Sequence, residues 1–257
     1  MYPTLFSLGP IEVSSFGLML IVGFAVAGWV AADGFEKLGL PRDEAFRLLT
    51  WAVIGGILGS KLWYLAEAVA RSGFEPLLTD LQGRGALAWL NFLRAGITWY
   101  GGFLGGAIAV LWSARRARLP LLDVMNATAP ACAIGQALGR VGCFLVGDDW
   151  GNPTDAPWGI AFPNGIDPVD FPVHPTQLYE TGWLLAIFPW LMYRRTRSRF
   201  VFGEYLILAG LGRLWIEAFR RNPGLVGDLT NAQLTAAASI TLGIVGWWLL
   251  ARPRPAS

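Results

Sequence analysis

Three cations lie inside segments that otherwise read as membrane-spanning helices. They are Lys61 in TWAVIGGILGSKLWYLAEAVA, Arg140 in NATAPACAIGQALGRVGCFLVG and Arg213 in GEYLILAGLGRLWIEAF. On insertion scales a cation at membrane depth costs at least about 2.5 kcal/mol. A chain holds three of them only where an anion or a water-filled cavity compensates the charge. The sequence therefore points to a membrane protein with a site for an anionic headgroup or solute.

Composition agrees with that constraint. Hydrophobic residues make up 54% of the 257 positions, too many for an ordinary soluble domain. They are spread along the whole chain, so residues 1–257 read as a single membrane domain. The small net charge of +2 and the lack of a basic run interleaved with aromatics argue against nucleic-acid binding. The N-terminal stretch MYPTLFSLGPIEVSS has no basic n-region and no small-residue cleavage site, so the first helix is expected to stay in the mature protein. The two cysteines, Cys132 and Cys143, would be about 16 Å apart on one helix, too far for an intrahelical disulfide. With one histidine and no CxxC, neither a metal site nor a cofactor is indicated.

Hydropathy predicts an all-α protein of seven spans, at roughly 16–33, 46–70, 96–114, 124–146, 177–194, 203–219 and 231–251. One set of loops carries Lys37, Arg42, Arg47, Arg115, Arg116, Arg118, Arg194, Arg195, Arg197, Arg199, Arg252 and Arg254. The other carries Arg71, Arg84, Arg94, Arg220 and Arg221. Twelve against five makes the first set cytoplasmic, with the N-terminus outside and the C-terminus inside. Of the two long outer loops, 72–95 has the periodicity of an interfacial amphipathic helix. The other, 147–173, is rich in Asp, Pro and Gly and reads as an ordered outer loop or lid.

With this topology the unusual polar residues gather near the outer leaflet. Lys61 falls in the outer half of its span, Arg140 and the Arg213/Glu217 pair a turn or two below the outer end, Tyr100 at the outer entrance of the third span and His174 at the start of the fifth. Arg213 and Glu217, four apart on one helical face, are spaced to pair. Arg140 has no carboxylate within a helical turn, so its partner must come from another helix or from a ligand. Glycines cluster beside these residues: Gly55, Gly56 and Gly59 before Lys61, Gly101, Gly102, Gly105 and Gly106 after Tyr100, and Gly135, Gly139 and Gly142 around Arg140. Close helix packing is the default reading for most of them. His174, followed by Pro175 and with Gln177 in capping-box position, reads either as a helix cap or as the one imidazole available as a base.

Several motifs carry a family resemblance that covers nearly the whole chain. G-R-V-G-C-F-L-V-G-D-D-W-G (139–151) and H-P-T-Q-L-Y-E (174–180) resemble the signatures of prolipoprotein diacylglyceryl transferases. G-L-G-R-L-W-I-E-A-F-R (210–220), F-G-L-M-L-I-V-G-F (16–24), W-Y-G-G-F-L-G-G (99–106) and N-A-Q-L (231–234) align with the family in order. The resemblance implies a bacterial inner-membrane enzyme without a cofactor, its active site facing the outer leaflet. Such an enzyme moves the diacylglyceryl group of phosphatidylglycerol onto the lipobox cysteine thiol of a preprolipoprotein and releases glycerol phosphate. The alternative is a lipid-binding paralogue on the same scaffold, inactive or using a different acceptor; no repeat or broken-helix pattern supports a transporter.

The resemblance also assigns roles. Arg140 is expected to hold the lipid phosphate and Arg213 to stabilise the departing charge, arginine being suited by its planar, two-pronged fork. Glu217 would orient an arginine, while Gly139, Gly142, Cys143, Asp148, Gly151 and Lys61 are expected around the lipid. The base is expected to be Tyr100 or His174. Tyr100 stands where better-known members carry histidine, and a free tyrosine, with a pKa of about 10, needs neighbouring cations to act at neutral pH. Cys143 stands where they carry asparagine, and Phe16 where a hydroxylated aromatic is common. Cys143 reads as a small filler of that slot or as a covalent nucleophile.

Overall fold

The computed structural model describes residues 2–8, 11–73, 98–222 and 224–250. Seven helices are present among them: α1 (Ser15–Lys37), α2 (Arg42–Ser72), α3 (Trp99–Arg116), α4 (Leu121–Val146), α5 (Thr176–Arg194), α6 (Val201–Glu217) and α7 (Asn231–Leu250). Each coincides with one predicted segment. Four of them, α1, α2, α4 and α7, are long and apolar enough to cross a membrane. The expected interfacial helix at 72–95 lies almost wholly outside the described residues.

The helices are accompanied by three short antiparallel hairpins that the hydropathy pattern did not reveal: β1–β2 (Thr4–Leu8, Ile11–Ser14), β3–β4 (Ile160–Phe162, Val169–Val173) and β5–β6 (Gly224–Val226, Leu229–Thr230). Their strands, two to five residues long, lie near or below the lower end of the length over which alternation identifies a strand. The fold is helical all the same.

The chain divides into two compact units, Met1–Leu40 with Leu122–Ser257, and Pro41–Leu121. Among the described residues the second unit holds the α2–α3 pair, and glycine explains its closeness. A β-carbon built on Gly105 would fall 2.8 Å from the Gly59 Cα, and one on Gly55 would run into Ala109 and the Gly105 carbonyl. Side chains are missing where the backbones meet, as in other small-residue membrane contacts. The Ser60 hydroxyl donates to the Thr98 carbonyl at 2.9 Å, and the Thr98 hydroxyl returns a bond to the Ser60 carbonyl at 3.2 Å.

In the first unit α4 is the central helix. Its buried alanines, Ala129, Ala133 and Ala137, pack with Leu184, Ile187 and Leu191 of α5 and Val201 of α6. Small residues on α4 let α5 and α6 lie close to it. At one end Asn126 joins α4 to α6: its amide donates to the Arg199 carbonyl at 2.9 Å and its oxygen accepts from the Val201 N–H at 2.8 Å. That oxygen satisfies an α6 N–H that has no partner within its own helix. At the same time buried Arg195 pairs with Asp33 of α1 and donates to the Val30 carbonyl.

The 147–173 stretch has a small core of its own. Phe162, Val169 and Val173 are buried together, with Phe144, Trp150 and Ile160 against them. The Trp150 indole donates to the Asp167 carbonyl at 2.9 Å. This core fixes the segment that carries Asp148 and Asp149 at the end of α4.

Gly59→Leu should separate α2 from α3 and destabilise the protein by about 1–3 kcal/mol, the usual effect of overpacking. Thermal unfolding in detergent followed by circular dichroism would read this as a lower midpoint. Gly56→Ala, whose new methyl would have only the Gly102 carbonyl within reach at 3.5 Å, should leave the midpoint nearly unchanged.

Candidate active site

Arg140 projects from α4 near its end. Its Nε lies 3.0 Å from Glu180 Oε2, and one of its terminal nitrogens lies 2.6 Å from Asp149 Oδ2. Arg213 on α6 reaches the same Glu180 oxygen at 3.4 Å and pairs with Glu217 on its own helix at 3.1 Å. Arg220, just past α6, pairs with the other oxygen of Asp149. The result is one alternating line of charge: Arg220, Asp149, Arg140, Glu180, Arg213, Glu217. It draws on α4, α5, α6 and the loop after α4.

Two of the three acids in this line, Glu180 and Glu217, are held by further donors. The Gln136 amide of α4 donates to Glu180 at 3.1 Å, and the Tyr205 hydroxyl fixes Gln136 from the far side at 3.1 Å. Glu217 accepts from the Thr230 hydroxyl at 2.6 Å and from the Asn222 amide at 2.7 Å. Buried charges are tolerable when they are both paired and hydrogen-bonded, and both conditions hold here.

The two loop aspartates sit in opposite environments. Burial, together with the adjacent charge of Asp149, raises the Asp148 carboxyl above the usual aspartate range. Burial alone would also raise Asp149, but Arg220 and Arg140 outweigh it and hold that carboxyl below its ordinary value. Asp149 is thus fully ionised at neutral pH.

The expected pairing of Arg213 with Glu217 is present, and Arg140 finds its partners on another helix and in a loop. The guanidinium groups of Arg140, Arg213 and Arg220 converge, with carboxylates standing between them. Glu180, Asp149 and Gln136 were not anticipated as site residues. Glu180 lies inside the predicted fifth span, so the reasoning applied to buried cations, extended to buried acids, would have found it.

Around this line, one guanidinium nitrogen of Arg140 lies 3.8 Å from Cys143 Sγ. Gly142 packs under Phe16 and Met19 of α1, whereas open space lies beside Gly139. Gly151 is enclosed: a β-carbon there would meet the Phe219 carbonyl, the Thr176 methyl and His174 Cβ. Its N–H donates to the His174 carbonyl at 2.9 Å, and the next N–H, of Asn152, donates to the Phe219 carbonyl at 2.7 Å. Lys61 and Tyr100 belong to the other unit, on α2 and α3, where the Tyr100 ring sits between Trp63 and Trp99.

The helix-cap reading of His174 and Gln177 is wrong. Helix α5 begins at Thr176 with Pro175 as its N-cap, and no side chain caps it. The Gln177 amide instead bonds the Asp148 carbonyl, and His174 Nδ1 lies 2.9 Å from the Tyr179 hydroxyl, which also accepts from the Trp158 indole. Imidazole is not a good N-cap acceptor, whereas threonine is. The capping box occurs elsewhere, at Thr230 and Gln233 before α7, where each side chain bonds the other's backbone N–H at 3.2 and 3.0 Å.

Four helices long and apolar enough to cross a membrane, one of them carrying the ion-paired Arg140, define an integral membrane protein with a polar site. The profile of the family described as "Prolipoprotein diacylglyceryl transferase" matches residues 3–249. A phosphatidylglycerol–prolipoprotein diacylglyceryl transferase of Pseudoalteromonas atlantica is 34% identical to this chain, over 94% of it and 86% of the relative. One of Clostridium tetani is 32% identical, over 95% and 96%. One of Trichormus variabilis is 31% identical, over 98% and 91%. The chain belongs to the prolipoprotein diacylglyceryl transferase family and is a transferase.

Glu180→Gln should leave Arg140 and Arg213 facing each other without their shared carboxylate. A loss of about 3–5 kcal/mol is expected for breaking a buried ion pair from one side, visible as a lower thermal midpoint in detergent.

Proposed function

We propose that this protein transfers the diacylglyceryl group of phosphatidylglycerol to the lipobox cysteine of a preprolipoprotein in a bacterial inner membrane. The whole chain acts as one transferase domain with seven spans, N-terminus outside, C-terminus cytoplasmic and active site at the outer leaflet. Support for the reaction comes from relatives that bear its name along nearly their whole length. The observation that carries the site assignment is the meeting of Arg140 and Arg213, from different helices, on one Glu180 oxygen. Two guanidinium groups aimed at one point suit a phosphate, whose oxygens can bridge them.

In the reaction, the thiolate sulfur attacks the glyceryl carbon that bears the phosphate ester. A C–S bond forms, the C–O bond breaks, and glycerol phosphate leaves with the electron pair. Arg140 grips the phosphate, and Arg213 meets the charge that grows on the leaving oxygen. Glu217, anchored by Thr230 and Asn222, keeps Arg213 in place. Gly139 leaves open space for the headgroup beside Arg140. Gly142, Cys143, Asp148 and Gly151 shape the surrounding wall, and Lys61 contributes further positive charge toward the lipid.

The thiol proton must go to a base, because the thiolate is the nucleophile. Tyr100 is the first candidate. His174 is the second; its Nδ1 is engaged by Tyr179, so exchange would fall to Nε2.

The experiment is a transfer assay with purified protein, labelled phosphatidylglycerol and a lipobox peptide. A labelled thioether supports the reading; lipid binding with no transfer to peptide would favour a paralogue that uses another acceptor. Arg140→Lys keeps the charge but loses the fork and should slow transfer by about 100-fold, the scale of losing one charge-stabilising donor. Near-normal turnover would remove Arg140 from its role. Tyr100→Phe should lower kcat far more than it raises KM for the lipid, and an unchanged kcat would shift the base assignment to His174.

A further inference from the structure

Both faces of the Arg140 fork are already occupied, Nε by Glu180 and a terminal nitrogen by Asp149. A phosphate that binds Arg140 through its fork must take the place of one of these carboxylates. The two are held very differently. The Glu180 side chain is 5% exposed, lies within α5, and is bonded by Gln136 as well as two arginines. The Asp149 side chain is 43% exposed and lies in a loop. Its backbone φ of 63° is a left-handed conformation uncommon outside glycine. A polar cavity of about 320 Å3, lined by Asp149, Trp150, Asp167, Arg220, Arg221 and Asn222, gives the side chain room to turn. Asp149 is therefore the carboxylate that can leave.

We propose that Asp149 is a built-in competitor for the anion site: its carboxylate fills the seat between Arg140 and Arg220 that the substrate phosphate takes, and phosphate binding displaces it. The proposal rests on reading Arg140 as the phosphate ligand. The two carboxylate oxygens, each on a guanidinium from a different element, mark where two phosphate oxygens would sit. Being ionised at neutral pH, Asp149 competes with a full charge. It lowers apparent affinity by the fraction of time the seat is closed, and it helps expel glycerol phosphate by returning. Asp149 is thus an affinity-setting residue of this site.

The test uses the full chain in detergent and glycerol phosphate as probe, with binding measured by calorimetry. Asp149→Asn keeps the size and the tolerance for left-handed backbone while removing the charge. Binding should tighten about tenfold, and Asp149→Ala should do the same. In the transfer assay KM for phosphatidylglycerol should fall by a similar factor with no gain in kcat. Equal or weaker binding in both variants, or no binding in any form, overturns the proposal. Should the variants melt early, the wild-type chain decides alone: hydrogen exchange over residues 147–152 should rise when glycerol phosphate saturates the site, and unchanged or slower exchange overturns it. A wild-type chain that binds glycerol phosphate, with Asp149→Asn tighter, yet transfers nothing to peptide sinks the transferase reading and upholds this one. A wild-type chain that transfers normally while Asp149→Asn binds no tighter sinks this one alone.

Discussion

Glu180 Oε2 is shared by two guanidinium groups, and much of the first unit is arranged to make that sharing possible. Without a carboxylate between them, Arg140 and Arg213 would repel across a low-dielectric gap. With it, helices α4, α5 and α6 are tied together at one level by charge. The cost of taking these ions out of water is offset in part by the extra hydrogen bonds from Gln136 to Glu180 and from Thr230 and Asn222 to Glu217. The strict alternation of sign along the six groups keeps each cation beside an anion. It also leaves the cluster close to neutral, so an incoming anion meets arginines whose charge is already largely answered.

Packing explains why the charges can meet at all. The alanine face of α4 brings α5 and α6 near enough for side chains of ordinary length to reach one another. Opposite the charge line, Asn126 fixes where α6 starts, and so fixes the rotation that points Arg213 at α5. The 147–173 segment adds a different kind of support. Its buried Phe162, Val169 and Val173 let a loop hold Asp148 and Asp149 as firmly as a helix end would, while the Asp149 side chain remains open to water on one side.

The helices were legible in the sequence because long apolar segments leave little choice in a membrane, and the arginines because a cation there is conspicuous. Glu217 was legible from its four-residue offset to Arg213. Glu180 was not, although it too is an ionisable residue in an apolar segment; its partners sit on other helices, and no local spacing announces them. Asp149 was beyond reach for another reason: an aspartate in a polar loop is unremarkable until the fold places two arginines against it. The misplaced capping box shows how spacing without the right acceptor misleads, since Gln177 and Gln233 each fit the offset but only Thr230, not His174, can supply the oxygen. The three hairpins stayed hidden because their strands, two to five residues long, lie near or below the lower end of the length over which alternation identifies a strand.

The Thr230 hydroxyl serves two masters. It accepts from the backbone at the start of α7 and donates to Glu217. One oxygen thereby makes the final helix and the ionic array mechanically continuous. Rearrangement of the ions would be felt as fraying of the last helix, and a change in the tilt of that helix would be felt as a loosened arginine, although α7 contributes no charge to the site.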